Sequence, residues 1–264
     1  MAATYNNLYL DARKRLREAG VEGAQLEARE LVCCAAGKSR EQFYRDMALY
    51  ASDPVDEKLA ELLERRLAGE PVAYLIGEWE FYGLGLDITP DVLIPRMDTE
   101  VLAERGILKA KAAGEGCRVV LADVSEAALR LCKQNVRRNE LNARVTCVQA
   151  DALEPPDAAL WDFDVIACNP PYIPTGDIAE LDVSVRDYEP RSALDGGADG
   201  LDFYRAIAAQ WGAALRLGGA LLFEVGIGQA GDVGAILAQN QFEQIQTFQD
   251  TQGIGRVVEG VLNS

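Results

Sequence analysis

The sequence predicts an α/β protein in which a small all-helical domain precedes an open, mostly parallel β-sheet covered by helices. Residues 1–76 repeat their apolar side chains at helical spacing. Residues 77–95 change to alternation between turn signals, which is typical of a β-hairpin linker. Residues 96–264 alternate short apolar strands with helices, the pattern of a parallel sheet with both faces covered. We therefore expect three parts with these boundaries.

The first part is predicted to contain helices with one apolar face each. Asp53 and Pro54 are typical of the first turn of a helix, and Gly69 is typical of its end. The apolar positions are Leu8, Ala12, Leu16 and Ala19, then Leu26, Leu31 and Ala35, and finally Leu59, Leu62, Leu63 and Leu67.

The third part is predicted to alternate helices and strands. Gly253 lies in a short turn between the last two strands, which indicates an antiparallel pair at the edge of the sheet. The predicted strands are Val119–Ala122, Arg144–Gln149, Phe163–Cys168, Ala220–Val225, Gln244–Gln249 and Arg256–Val261. The predicted helices are Val101–Ala113, Glu126–Asn139, Leu201–Leu217 and Gln229–Gln239.

The charge balance restricts the possible partners. The chain has 42 acidic and 26 basic residues and a formal charge of −16. Bulk affinity for nucleic acid or for anionic membranes needs clustered Lys and Arg, so both are disfavoured. The basic stretches Arg13–Arg15 and Arg137–Arg138 are interpreted as solvated helix faces. An acidic protein of this kind is expected to attract a protein partner with a basic face.

Residue usage also indicates the compartment and excludes some chemistry. Histidine is absent, so His-based acid–base catalysis and His metal sites are excluded, and we expect no metal. The N-terminal residues lack an apolar signal core, and no apolar run reaches the roughly 18 residues that span a bilayer. We expect a soluble, cytoplasmic protein with reduced thiols, because none of its cysteines form a C-x-x-C pair: Cys33, Cys34, Cys117, Cys132, Cys147 and Cys168.

The most informative motif is Asn169-Pro170-Pro171-Tyr172, which directly follows the predicted strand Phe163–Cys168. Proline has no N–H, so the carbonyl groups of Asn169 and Pro170 do not readily join the hydrogen bonds of another pair of strands. The Asn169 amide oxygen and a neighbouring carbonyl can then accept both N–H bonds of a planar amide or amine. The motif therefore predicts a reaction at a weakly nucleophilic nitrogen. The structural alternative is a rigid turn that ends the strand.

Two carboxylates follow two other strands. Asp123 comes after Val119–Ala122 and can accept hydrogen bonds from a ribose diol, or can merely support the turn. Asp151 follows the next strand and can accept from an adenine amino group. Together with Asn169, these side chains end three successive strands, so one adenosine-type ligand could contact all of them.

Several segments resemble the release-factor glutamine methyltransferase family, and the resemblance covers nearly the whole chain. It implies a helical N-terminal domain, a hairpin, and a seven-stranded class I (Rossmann-like) methyltransferase sheet that uses S-adenosylmethionine. The segments are Gly69–Gly77 with Glu80–Gly83, Val92–Arg96 with Asp98–Glu100, Asn169–Tyr172, and Pro190–Leu194.

The resemblance also implies a substrate and roles for individual residues. The substrate would be the side-chain amide of the glutamine in the Gly-Gly-Gln motif of class 1 peptide chain release factors. For the cofactor, Asp123 would hold the ribose, Asp151 and Ala152 would lie beside the adenine, and Asn169 would lie near the methionine part. The glutamine would be held by Asn169, Pro170, Pro171 and Tyr172, of which Asn169, Pro170 and Tyr172 would be catalytic.

The chain departs from the family pattern between Glu100 and Asp123. Such domains begin with a strand and a glycine-rich loop that wraps the methionine end of the cofactor at a helix N-terminus. Here a helix is followed by Gly114 and Gly116, which are more typical of its C-terminal cap, and then by one strand. The shortfall is about 20 residues, one loop–helix unit.

Two interpretations of this shortfall remain. A segment of this kind exists between Val119 and Val120, or the protein lacks it and the chain is continuous. A parallel connection needs a dozen or more residues, which favours the first and predicts a geometric break between Val119 and Val120. A continuous chain would instead leave the cofactor pocket open on its methionine side.

Two other functions stay open at this point. An amino-methyltransferase that acts on another protein or on a nucleic-acid base could use the same motif, Asn169–Tyr172. Base flipping, however, needs a basic groove, and the charge of −16 argues against one. A non-catalytic binding module would have kept the fold and lost its affinity for the cofactor. We expect a monomer that binds release factors and no nucleic acid or membrane directly.

Overall fold

The computed structural model describes residues 3–114 and 116–263. Contacts divide the chain into two compact units, Met1–Glu78 with Asp182–Tyr188, and Trp79–Leu181 with Glu189–Ser264. Residues 182–188 thus cluster with the first unit, although the sequence analysis assigned them to the third part. Gly69 contributes to this, since a Cβ atom there would lie 2.8 Å from Val183 Cγ1. Only a residue without a side chain allows this approach.

The first unit is helical. Its short third helix begins with a capping box, in which the Ser39 hydroxyl accepts the Gln42 N–H and the Gln42 side chain accepts the Ser39 N–H. The third and fifth helices were not predicted, because they are too short to show a period. The helices are α1 (Tyr5–Glu18), α2 (Ala24–Ala36), α3 (Arg40–Asp46), α4 (Asp53–Leu67) and α5 (Val72–Ile76).

The second unit begins with the predicted hairpin, formed by β1 (Glu78–Phe81) and β2 (Leu84–Asp87). Asp87 fastens the hairpin to the helix α7 (Glu126–Arg138). Its backbone N–H donates to Asn135 Oδ1 at 2.7 Å, and its carboxylate accepts from Gln134 Nε2 at 2.7 Å. Helix α6 (Thr99–Ala113) precedes α7 and packs on the sheet.

The other strands of the second unit form two separate sheets. The parallel pair β3–β4 is one sheet, and the other has the order β5-β6-β8-β7. The pair β6–β8 and the pair β7–β8 are antiparallel, which confirms the expected antiparallel edge. The strands are β3 (Val119–Asp123), β4 (Val145–Gln149), β5 (Phe163–Cys168), β6 (Leu215–Glu224), β7 (Phe242–Gln249) and β8 (Gly255–Leu262).

The predicted helix Leu201–Leu217 is wrong in its second half. The structure has α8 (Asp202–Gln210), a 3-10 turn, and then β6, which begins at Leu215. Leu215 is buried and pairs with Phe163 of β5. The apolar pattern continues through both elements, so it could not separate a buried helix from the buried strand that follows it. The last helix is α9 (Ala230–Gln239), and a one-turn helix, Val183–Arg186, lies in the segment that clusters with the first unit.

The predicted break between Val119 and Val120 is wrong. Both residues lie in β3, where they pair with Val145 and Thr146 of β4. The chain is therefore continuous, as the second interpretation required. Gly114 is the C-terminal cap residue of α6, as expected.

This continuity leaves the sheet interrupted. Among residues 3–114 and 116–263, β3 pairs only with β4, and β5 pairs only with β6. Apart from the hairpin, this part of the chain has the six strands β3 to β8, divided between two sheets, where seven were expected in one sheet. Val119 is 40% exposed and Leu121 36% exposed, whereas parallel central strands are normally buried on both faces. The interruption lies at the position where the resemblance implied a first strand.

The larger sheet carries the core of the second unit. Leu221, Phe223 and Val258 are fully buried there, and Tyr204 of α8 packs edge-on against Phe223 with ring centroids 5.1 Å apart. Among the described residues, no helix is both long enough and apolar enough to cross a membrane. The same part of the chain contains no cluster of three side chains suited to a metal.

Candidate active site

The corner Asn169–Tyr172 directly follows β5, as the sequence predicted. Pro170 is buried, and Asn169 and Tyr172 are half-buried. Among the described residues, neither the Pro170 carbonyl nor Asn169 Oδ1 accepts a hydrogen bond. Two acceptors on a buried, proline-fixed corner thus remain available for a ligand.

The side chain of Asn169 is oriented by residues that the sequence analysis did not assign to the site. Asn169 Nδ2 donates to Thr99 Oγ1 at 3.5 Å. The Thr99 hydroxyl also lies near enough to Glu224, the last residue of β6, to lower the pKa of its carboxyl. Thr99 lay within the segment Asp98–Glu100, which carries part of the family resemblance. Glu224 could have been noticed as an acid at the end of a buried strand.

Glu224 is an unusual side chain for this position. It is 2% exposed, and among the described residues its Oε2 atom has no hydrogen-bond partner. Burial is the main factor that raises the pKa of the Glu224 carboxyl, and the Thr99 hydroxyl opposes it. Burial also raises the pKa of Tyr172, with a smaller contribution from the charge of Glu224. The base of the corner is therefore poorly solvated, and its burial disfavours the charged form of the Glu224 carboxyl.

The segment after Pro190 holds the corner from one side. Ile173 N–H donates to the Leu194 carbonyl at 3.0 Å, and Gly196 N–H donates to the Ile173 carbonyl at 2.8 Å. On the other side, Gln229 Nε2 donates to the Tyr172 carbonyl at 2.9 Å. These bonds explain why the segment Pro190–Leu194 accompanies the corner motif, since it supplies backbone partners to the chain that leaves it.

Gly200 permits the closest of these approaches. Its φ is +75°, and a Cβ atom there would lie 2.3 Å from the Tyr172 carbonyl oxygen. We expect Gly200→Ala to displace the corner and to lower the free energy of unfolding by about 2 kcal/mol or more. Gly228→Ala is the matched control, because its φ is +87° and nothing lies within 4 Å of its Cβ position. Equal losses for both variants in urea denaturation would show that the contact with Tyr172 is unimportant.

Glu189 anchors the chain that leads into α6. Its side chain is 1% exposed and is paired with Arg96, and one of its oxygens accepts the Ile94 N–H at 3.3 Å. The resemblance segments Val92–Arg96 and Pro190–Leu194 therefore meet through this one buried carboxylate, which lies next to Pro190.

Arg96→Met should leave the Glu189 carboxylate buried without its counter-charge, and removing one member of a buried pair costs about 3–5 kcal/mol. We expect a decrease near the lower limit, because Arg96 is 38% exposed in its side chain. Arg191→Met provides the comparison, since the pair Arg191–Asp195 is more exposed and should contribute less than about 1 kcal/mol. Chemical denaturation of both variants measures the difference. Similar losses would contradict a special role for Arg96.

Asp123 and Asp151 lie at the predicted strand ends, where each closes a turn. Asp123 Oδ1 accepts the Ser125 N–H at 2.8 Å, and Asp151 Oδ1 accepts the Leu153 N–H at 2.9 Å. The turn-supporting alternative is thus realised for one oxygen of each carboxylate. The second oxygen of each has no partner among the described residues and is available to an adenosine-type ligand.

The residues present fit only one end of S-adenosylmethionine. The carboxylates that follow β3 and β4 suit the adenosine end. For the methionine end, a glycine-rich turn at a helix N-terminus would be needed. Between Asp98 and Asp151 the glycines are Gly106, inside α6, and Gly114 and Gly116, which follow its C-terminus. None of these glycines precedes a helix N-terminus, so this part of the sequence lacks the glycine-rich turn that is expected to hold the methionine end.

The fold and the site define a class I methyltransferase. A crystal structure of a methyltransferase from Pyrococcus furiosus matches with a TM-score of 0.50 at 15% identity, covering 78% of this chain and 100% of that one. Family models of the PrmC N-terminal domain and of the methyltransferase small domain match residues 7–77 and 86–184. The chain is 41% identical to a release factor glutamine methyltransferase of Geobacter sulfurreducens, over 94% of this chain and 93% of that protein.

The chain belongs to the release factor glutamine methyltransferase family. This confirms the resemblance, the class I methyltransferase fold and the enzyme class predicted from the sequence, and it implies a cofactor of the S-adenosylmethionine type. A relative of the same name from Caulobacter vibrioides is 32% identical over 286 aligned positions, which cover 100% of this chain and 98% of that protein. Since this chain has 264 residues, about 20 of those positions have no residue here, which equals the shortfall estimated from the sequence.

Proposed function

We propose that the protein methylates the side-chain amide nitrogen of the glutamine in the Gly-Gly-Gln motif of class 1 peptide chain release factors, with S-adenosylmethionine as the methyl donor. The observation that carries this proposal is the pair of unpaired acceptors at the corner, Asn169 Oδ1 and the Pro170 carbonyl. A primary amide has two N–H donors in one plane, and two adjacent acceptors match them. The names of the relatives support a glutamine of a release factor as the substrate.

The corner residues act on the amide by orienting it. An amide nitrogen is a poor nucleophile because its lone pair is delocalised into the carbonyl group. With both N–H bonds directed to Asn169 and Pro170, the lone pair faces away from them, and the same acceptors stabilise positive charge that develops on nitrogen. Tyr172 limits the access of water to the glutamine side chain. S-adenosylmethionine supplies an electrophilic methyl group when it is bound.

The partner's charge and the site of action follow from this substrate. A chain with a charge of −16 should bind a release factor through a basic face, and the complex should weaken as salt is raised. We propose that the helical domain of residues 1–76 provides an additional contact surface for the release factor, because the corner is large enough to bind only one loop of that partner. We further propose that the protein acts as a monomer in the cytoplasm, where peptide release takes place, and that it contacts neither nucleic acid nor membrane directly.

The test is to incubate the protein with a class 1 release factor and S-adenosylmethionine and to find the modified residue by peptide mass spectrometry. We expect one added methyl group on the glutamine of the Gly-Gly-Gln peptide, and none when that glutamine is replaced by asparagine. Single-stranded DNA and RNA oligonucleotides are assayed in parallel for the alternative nucleic-acid substrate. Methylation of an oligonucleotide, or of another residue of the release factor, would overturn the proposal.

A further inference from the structure

We infer that Gln210 and Trp211 are positioning residues for the cofactor, and that they make the site selective for adenine by fixing the turn of residues 151–154, here called the Asp151 turn. This inference rests on the proposed function in one respect, namely that the cofactor carries an adenine base. Gln210 is the last residue of α8, and Trp211 begins the 3-10 turn that follows. Both side chains donate hydrogen bonds to the backbone of the Asp151 turn.

The Asp151 turn presents one acceptor and one donor to a ligand. Asp151 Oδ1 accepts the Leu153 N–H at 2.9 Å. Among the described residues, the second oxygen of this carboxylate and the backbone N–H of Ala152 have no hydrogen-bond partner. An acceptor beside a donor matches the amino group and the N1 atom of adenine. Hypoxanthine has a carbonyl oxygen and an N–H at these two positions, so each of its groups would face a group of the same kind.

The peptide unit between Leu153 and Glu154 is held from two sides. The Glu154 N–H donates to the Asp151 carbonyl at 3.2 Å, within the turn. The Leu153 carbonyl accepts from Gln210 Nε2 at 2.9 Å. Since the Leu153 N–H orients the Asp151 carboxylate, a displacement of Leu153 would move that carboxylate as well. Gln210 therefore supports the acceptor of the turn without contacting the ligand.

The sequence that leaves the turn explains the need for side-chain donors. Glu154 is followed by Pro155 and Pro156, neither of which has an N–H. The chain at this point therefore cannot be fixed by its own next two backbone donors. Trp211 Nε1 donates to the Glu154 carbonyl at 3.0 Å and supplies the missing bond. Trp211 and Ala152 also pack against the same hydrophobic core cluster, so the donor and the turn share one support.

Packing alone does not explain a glutamine at the end of α8. The Oε1 atom of Gln210 is buried and has no hydrogen-bond partner among the described residues. A buried acceptor without a partner costs free energy, and a leucine would avoid this cost. What a hydrocarbon side chain cannot supply is the Nε2 donor for the Leu153 carbonyl. The turn that Gln210 holds therefore explains the amide.

The test compares the binding of 5′-methylthioadenosine and 5′-methylthioinosine, which differ only in the base, by titration calorimetry. We expect the unchanged protein to prefer the adenine compound about 100-fold, because two hydrogen bonds are mismatched and each contributes about tenfold. Gln210→Leu and Trp211→Phe each remove one donor and keep an apolar or aromatic side chain. Each should reduce the preference to about 10-fold or less, because the turn no longer holds its acceptor and donor in place.

Gln149→Leu is the matched control. Gln149 Nε2 donates to the Val124 carbonyl at 3.0 Å, a bond of the same kind that lies next to Asp123. This bond supports the ribose end, which both ligands share, so the preference should stay at about 100-fold. A merely structural role of Gln210 would also leave the preference unchanged, because a loss of stability weakens the binding of both ligands to the same extent.

A second measurement needs no ligand. Hydrogen exchange of backbone amides, observed by NMR of the full chain, should be faster at Leu153 in Gln210→Leu than in the unchanged protein. The Ser125 N–H donates to Asp123 Oδ1 at 2.8 Å at the ribose end, and its exchange should be the same in both proteins. Equal exchange at Leu153 in the two proteins would contradict a role of Gln210 in fixing the turn.

The measurements separate this inference from the proposed function. A protein that prefers the adenine compound about 100-fold but does not methylate the release factor would remove the proposed function and leave the inference in place. A preference that is unchanged in both Gln210→Leu and Trp211→Phe would overturn the inference, whatever the methyl transfer activity. Equal binding of the two compounds by the unchanged protein, or binding of neither, would also overturn it, because the turn would then not select adenine.

Discussion

Asn169→Ala should lower methyl transfer to the release factor by about 100-fold or more while the protein remains folded. The expected size follows from the loss of one of two acceptors that orient the amide and stabilise charge on nitrogen, because removing a single preorganised group of this kind costs about 10²–10³ in rate. Folding should be retained, since Asn169 is half-buried and makes one long hydrogen bond, 3.5 Å to Thr99. Single-turnover rates at saturating release factor measure the effect.

Asn142→Ala is the matched control for this prediction. Asn142 is exposed in the turn that follows α7, so its replacement should leave the rate unchanged. Circular dichroism and thermal denaturation verify that both variants are folded. A rate for Asn169→Ala within about threefold of the unchanged protein would remove Asn169 from the catalytic site, because a group that orients the nucleophile must affect the chemical step.

S-adenosylmethionine should bind this chain no more tightly than 5′-methylthioadenosine, which has the same adenosine end and lacks the amino-acid end. The carboxylates of Asp123 and Asp151 are available to the shared part. The amino-acid end needs a strand and a glycine-rich turn between β3 and β5, where the described residues leave both strand edges unpaired. Hydrogen bonds to charged groups contribute about 1.5–3 kcal/mol each, so intact recognition would separate the ligands by at least tenfold. Titration calorimetry with each ligand gives the ratio.

Insertion of a segment at the interruption tests the cause of this effect. A variant that receives about 20 residues between Val119 and Val120, taken from the Geobacter sulfurreducens relative, should regain preference for S-adenosylmethionine and transfer methyl groups faster. An insertion of equal length made of glycine and serine should do neither. Preference for S-adenosylmethionine by tenfold or more in the unchanged chain would contradict the prediction, since the methionine end would then be held without the segment.

Asp123→Ala should weaken binding of both ligands to a similar extent. The ribose belongs to the part that they share, so the loss should not depend on the methionine end. A substitution that lowered only the rate at saturating cofactor would argue against a ribose role for Asp123.

Much of the local structure could be predicted from the sequence because it depends on local patterns. The hairpin after residue 77 follows from alternation and turn residues, and β5 with its abrupt end follows from an apolar run stopped by two prolines. The boundary between α8 and β6 could not be found in this way, because the apolar positions continue from Tyr204 to Leu222 without a change that marks the transition. The short helices α3 and α5 were missed because less than two turns show no period.

The sequence by itself determined the family, the two acceptors of the corner, and the absence of a glycine-rich turn for the methionine end. Each of these depends on which residues follow one another along the chain. Only the tertiary structure decided which distant residues support the corner. Thr99 and Asn169 are separated by a long stretch of sequence, and they are hydrogen-bonded because α6 begins beside the end of β5. The structure also decided that β3 continues through Val119 and Val120, which leaves β3 and β5 without a shared neighbour. Strand pairing joins residues that are remote in sequence, so no local pattern could have shown it.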